Sequence, residues 1–141
     1  MERLDIRWKQ RFENFKQAYF RLLEANNMPE LNELERNGLI LRFEFTIELS
    51  WKVMKDFLEE KGFVFKPSPK DTFRQAQEAK YIDFAQELID GLTIRNELSH
   101  DYNGLFFVQS ESNLRNNVFP AIDKLYHFFE IEYANTLSIR T

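Results

Sequence analysis

Large apolar side chains recur every three or four residues along most of this chain, the spacing of amphipathic helices. The first run, Trp8, Phe12, Phe15, Tyr19 and Leu22, predicts a helix from about Asp5 to Ala25, with Lys9, Arg11, Glu13 and Lys16 off the seam. Asn26-Asn27-Met28-Pro29 ends it. A second and longer helix is expected from about Glu30 to Lys61, with Asn37-Gly38 as a point where it divides and Gly62 as its stop. Its inward positions are Phe43, Ile47, Ser50, Trp51, Met54, Phe57 and Leu58, whereas Phe45 and Leu49 fall on another side. A helix apolar on more than one side is central or lies at a subunit interface. Glu44, Glu48, Lys52 and Lys55 form a polar stripe along it. That stripe either pairs at the surface or, together with Trp51, lines a cleft.

Ser68-Pro69-Lys70-Asp71 reads as a helix start, with a serine cap and proline at the first helical position. A short helix follows to about Ala79, with Phe73 and Ala76 inward. The next helix is expected from about Asp83 to Tyr102. Counting about 100° per residue from Phe84, Leu88 and Leu92 fall at about 40° and about 80°, which marks the core side. On the same count Arg95 lies at about 20°, Ser99 at about 60°, Tyr102 at about 0°, Asn96 at about 120° and His100 at about 160°. The inward stripe therefore turns polar halfway along. Ile94 and Leu98 make a second apolar strip. Polar groups on a core stripe must be paired or must line a cleft. Arg95, Asn96, Ser99 and Tyr102 are thus expected in a buried or cleft-lining site, with a satisfied structural network as the alternative.

A last helix is expected from Ser110–Ser112 to about Asn135, seamed by Leu114, Val118, Ile122, Leu125, Phe129 and Tyr133 and kinked at Pro120. Phe106-Phe107-Val108 reads as an apolar link before it, and His127 as a structural histidine. The pattern as a whole predicts an all-α, antiparallel, up-and-down bundle of four to five helices in one domain, 1–141.

Composition narrows the chemistry. The chain has 141 residues, with 15 phenylalanines against four glycines and four prolines, which favours long helices packed through aromatic ridges. There is no cysteine, so disulfides and thiolate chemistry are excluded. Two histidines make a histidine-rich metal site a poor expectation. No apolar run approaches the roughly 20 residues that span a bilayer. The first residues lack a signal-peptide core, and the expected location is cytoplasmic. The net charge of −4 leaves no basic face, so any RNA contact must be local, short or shared with a partner.

Glycine-rich phosphate loops, nucleophile elbows and the Gly-Ser…Asp-x-Asp site of a nucleotidyltransferase are all missing. Arg95 and His100 remain. Arginine holds phosphate oxygens in a fork. Histidine at a helix C-terminus is favoured in its protonated form and moves protons near neutral pH. The pair suits phosphoryl chemistry without a metal or cofactor. Arg95 would stabilise charge at phosphorus, and His100 would exchange a proton with a ribose 2′-hydroxyl or the leaving group. One chain carries one such set, and a symmetric dimer would bring two into one cleft.

Arg95-x4-His100, with Asn96 after the arginine and Tyr102 two residues after the histidine, resembles the signature of HEPN domains. Gly38-Leu39-Ile40-Leu41-Arg42-Phe43-Glu44-Phe45-Thr46-Ile47-Glu48-Leu49-Ser50-Trp51-Lys52, followed by Ser68-Pro69-Lys70-Asp71, is similar to nucleotidyltransferase substrate-binding proteins, small bundles encoded beside a minimal nucleotidyltransferase. The resemblance implies a homodimer with its Arg-His motifs facing a shared cleft. It also implies a metal-independent endoribonuclease toxin, with Arg95, Asn96 and His100 as catalytic residues. The neighbouring nucleotidyltransferase would act as antitoxin by adding AMP to Tyr102. Asp101 adds a negative charge beside that site. Two other readings stand beside the toxin: a non-catalytic subunit that presents a nucleotide or substrate to a separate nucleotidyltransferase, and a purely structural helical dimer.

Overall fold

The computed structural model describes the backbone of residues 2–140 and the side chains of residues 7–136. The two ends of the expected domain, Met1 and Thr141, lie outside the described residues. The helices are α1 (Glu2–Asn26), α2 (Glu33–Glu60), α3 (Pro69–Glu78), α4 (Ala85–Leu98), α5 (Leu105–Asn113) and α6 (Phe119–Arg140). A π-helical turn, Leu114–Val118, joins the last two. No strand occurs among the described residues, so the all-α bundle stands as expected. No helix among them is long and apolar enough to cross a membrane.

Cross-helix bonds fix the directions. Arg11 meets Asp56 at 2.7 Å, and Thr46 Oγ1 donates to the Ala18 carbonyl at 3.1 Å, so α1 and α2 are antiparallel. Arg11 is half-exposed, but the Asp56 side chain is only 2% exposed, a near-buried charge that this guanidinium neutralises. Ring contacts pair Trp8 with Tyr133 and Phe12 with Phe129, which makes α6 antiparallel to α1. Phe57 meets Phe129 and Phe43 meets Phe119, so α2 and α6 run the same way. α4 runs against both.

The seams read from the pattern form the core. Trp8, Phe12, Phe15, Tyr19 and Leu22 are all buried, as are Leu114, Val118, Ile122, Leu125 and Phe129. Phe57 sits among rings, its centroid 5.4 Å from Trp8 and 5.7 Å from Phe129, with edges meeting faces. Tyr19 and Tyr126 stack at 4.3 Å. Their hydroxyls donate to Asp123 and Glu130. Burial, and then these carboxylate partners, raise both phenols, Tyr126 to about 12.

Several element boundaries differ from expectation, each for a local reason. α2 begins at Glu33, because Asn32 accepts from the Glu35 N–H while the Glu35 carboxylate accepts from the Asn32 N–H, a reciprocal capping box. It passes through Asn37-Gly38 undivided. Gly62 stops the helix in the left-handed region at φ 92°, and Ser68 caps α3, both as expected. Pro120 does break the last helix, through the π-helical turn, in which the Phe119 N–H reaches back to the Leu114 carbonyl. Phe106-Phe107-Val108 is helical, not a link: α5 starts at Leu105 and buries Phe107. His127 is exposed, with Nδ1 3.4 Å from Glu130 and Nε2 3.7 Å from Asp123, so it is a surface histidine between carboxylates.

Gly91 sets how closely α4 approaches its neighbours. A Cβ there would lie 2.7 Å from Ile47 Cδ1 and 2.8 Å from Val118 Cγ1. The absent side chain lets α4 rest on α2 and on the π-helical turn, one turn before Arg95.

Candidate functional site

Arg95 is the polar residue on the inward stripe of α4, and its side chain is only 20% exposed. Its Nη1 donates to Glu48 Oε2 on α2 at 2.6 Å, and its Nη2 donates to Asn96 Oδ1 at 3.2 Å. Glu48 Oε1 lies 3.4 Å from Lys52 Nζ, an i,i+4 pair along the polar stripe. Glu48 thus stands between two cations. One turn earlier, Glu44 is half-buried, and burial raises its carboxyl above the ordinary value while the Arg95 charge opposes the rise. Trp51 is also half-buried on α2, and its indole N–H has no acceptor among the described residues. Glu48 is therefore the ion partner of Arg95, Lys52 pairs with the same carboxylate, and Glu44 lies near enough to feel the arginine's charge.

A carboxyl raised by folding destabilises the folded state once it ionises. Its contribution is whole below the unfolded value and is lost as pH rises through the folded one. Glu44→Gln is therefore expected to raise the urea midpoint at pH 7, with the gain closing as pH falls below the ordinary carboxylate range. A gain that persists unchanged at pH 3.5 would mean that ionisation is not its source.

The polar stripe stops sooner than the count predicted. α4 ends at Leu98, with Ser99 as its C-cap, rather than at Tyr102. Beyond Leu98 the helical angles no longer apply. Asn96, Ser99 and His100 are exposed, and Tyr102 is 94% exposed. The buried positions of the last turns are Ile94 and Leu98, the strip taken as secondary. Of the four residues expected on a buried stripe, only Arg95 is sheltered. Ser99 Oγ donates to the Asn96 carbonyl at 2.7 Å, a local helix-end bond.

Asp101 explains the early stop. Its carboxylate accepts the N–H of Phe106 at 3.0 Å and of Phe107 at 2.8 Å, filling the first amides of α5. Asn103 Oδ1 takes the Leu105 N–H at 3.1 Å, and Gly104 turns the chain at φ 76°. The acid between His100 and Tyr102 is thus committed to a cap rather than aimed at a ligand. Nothing in the local sequence, beyond an aspartate in a turn, announces a bond five and six residues ahead.

Arg95 tied across to α2, His100 at the end of α4 and Tyr102 on the turn after it occur here on one bundle. A family model described as "Nucleotidyltransferase substrate binding protein like" matches residues 10–131. The chain belongs to this family. The match takes in all three sequence stretches that carried the resemblance, on α2, at the start of α3 and across the end of α4. No curated protein matches the chain. The family's description associates this bundle with a nucleotidyltransferase. Among the described residues no group of three or more His, Asp or Glu side chains is placed to hold a metal ion.

Proposed function

We propose that this family member works as the partner of a minimal nucleotidyltransferase, as a homodimeric, metal-independent endoribonuclease that the enzyme silences at Tyr102. The observation that carries the reading is the contrast at the end of α4. A sheltered arginine is held by a carboxylate, while the histidine and the tyrosine that follow are open to a macromolecule. In the cleavage step, a ribose 2′-oxygen attacks the adjacent phosphorus and the 5′-oxygen leaves. His100 exchanges the proton, and Arg95 stabilises the equatorial oxygens. Asn96 anchors the arginine fork. In the silencing step, Tyr102 Oη attacks the α-phosphorus of ATP. The Oη–P bond forms, the bond to the β-phosphate bridge breaks, pyrophosphate leaves, and the phenolic proton passes to water.

The second reading is a non-catalytic subunit that presents a nucleotide to the transferase. It is favoured by the Glu48 ion pair, which occupies Arg95 in the free chain, and by the family's description.

Expression of the chain alone is expected to arrest growth, and the purified protein to cleave RNA in the presence of a chelator. Incubation with the neighbouring transferase and ATP should add whole AMP units, a gain abolished in Tyr102→Phe. Harmless expression with intact RNA would remove the nuclease reading and leave the presenting subunit. A stable complex with the transferase is expected on either reading.

A further inference from the structure

A polar depression lies beside Tyr102. It is a groove of about 470 Å³ between the first turns of α2 and the turn after α4. Ile40 and Leu98 line its apolar part, Tyr102 stands at it, and Arg36, Asn37, Asn103 and Glu33 contribute the polar groups. Its volume falls in the range of small-ligand sites, roughly 300–1,000 Å³, and its mostly polar lining suits a polar ligand.

Arg36 is the informative residue. The arginines at 11, 42, 95 and 115 each bond a carboxylate or a carbonyl. Arg36 is half-buried, yet no carboxylate of the described residues lies within ion-pairing distance of it. Its guanidinium instead rests 5.8 Å from the centre of the Phe107 ring. A cation held in place by a ring, with its N–H fork uncommitted, is prepared for a phosphate. The nearby Asp101 carboxylate does not compete, since both its oxygens are engaged by α5 amides.

We infer that this groove is a seat for a nucleoside monophosphate. Arg36 takes the phosphate, and the exposed Tyr102 ring offers a stacking face for the base. Glu33 accepts from the ribose hydroxyls, the role an acid plays in dinucleotide sites. The Asn37 and Asn103 amides meet the base edge. A plain phosphate would use only the first of these groups. The nucleotide arrives either free or as the AMP group carried on Tyr102; the second source rests on the silencing reading above.

The test titrates AMP, adenosine and inorganic phosphate separately into the full chain while amide resonances are followed. AMP is expected to shift Asn37, Asn103 and Gly104 saturably and more tightly than either fragment. Arg36→Ala should weaken AMP by about tenfold or more, the size of a lost charge-assisted bond. Asn37→Asp removes the amide that meets the base edge and none of the side-chain bonds that hold the fold, so it should weaken AMP as well and guards against misfolding of the arginine variant. In a second arm, the AMP adduct on Tyr102 should resist phosphodiesterase in the wild type and lose that resistance in Arg36→Ala. Saturable, Arg36-dependent shifts establish a seat for free nucleotide. Protection of the adduct without such shifts establishes a seat for the attached group. Absence of both overturns the inference. If Tyr102 gains no AMP, the silencing reading fails and the titration alone decides the seat.

Discussion

Arg95→Ala is expected to lower metal-free RNA cleavage by at least about a hundredfold, the usual loss when a group that stabilises transition-state charge is removed. The same change should cost about 1 kcal/mol of stability or less, because its ion pair with Glu48 reaches solvent. The side chains are 20% and 39% exposed, and the carboxylate keeps Lys52 as a second partner. Separating these effects tells a site residue from a tie between helices. Single-turnover cleavage with chelator present measures the first, and urea unfolding measures the second. Arg95→Lys sharpens the comparison. It keeps the charge and removes the fork, so cleavage should stay well below wild type if bidentate contact matters. Unchanged cleavage, together with a stability loss of several kcal/mol, would make Arg95 a structural tie between α2 and α4.

Phe57→Ala should cost about 3–5 kcal/mol, the range for emptying an aromatic site in a close-packed core. Phe57 is fully buried and meets Trp8, Tyr81, Phe128 and Phe129 edge to face. These rings come from α1, α6 and the segment after α3, so no single neighbour can collapse into the space. Against a typical total of about 5–15 kcal/mol, such a loss removes a large share of the stability. Phe45, on the same helix, is 60% exposed. Phe45→Ala should stay within about 0.5 kcal/mol as a surface substitution. Calorimetric or urea unfolding of both variants checks the pair. A Phe57→Ala loss below that of Phe45→Ala would show that the ring cluster is not the core.

The core was legible because burial follows periodicity, and periodicity is local. Trp8, Phe12 and Phe15, or Ile122, Leu125 and Phe129, need no knowledge of the rest of the chain to be placed inward. Ser68, Gly62 and Pro120 were legible for the same reason, each acting through its own backbone. The end of α4 was not. The helical count carried Ser99 and Tyr102 onto the core stripe, but the backbone leaves the helix at Leu98 to satisfy α5. That decision is made by Asp101 with Phe106 and Phe107, across a turn whose local signal is only Asn103-Gly104. Gly91 was missed too. A glycine inside a helical pattern reads as a small propensity cost, and its use appears only when Ile47 and Val118 arrive from elsewhere in the chain. Asn32-x-x-Glu35, by contrast, was present as a capping pattern and would have moved the start of α2. At the site, the sequence put Arg95 on one stripe and Glu44, Glu48 and Lys52 on another, and only the third dimension joined Arg95, Glu48 and Lys52 into an ion-pair chain.

Because Asp101 spends its carboxylate on α5, the positive end of that helix is already neutralised from within. The corner that carries the motif offers an incoming polyanion no helix-end field, only the side chains of Arg95, Arg36 and His100. A strand bound there would displace few condensed counterions, so its affinity would change gently with ionic strength, unlike that of a broad basic surface. Discrimination would then rest on the fit of one or two nucleotides at the turn.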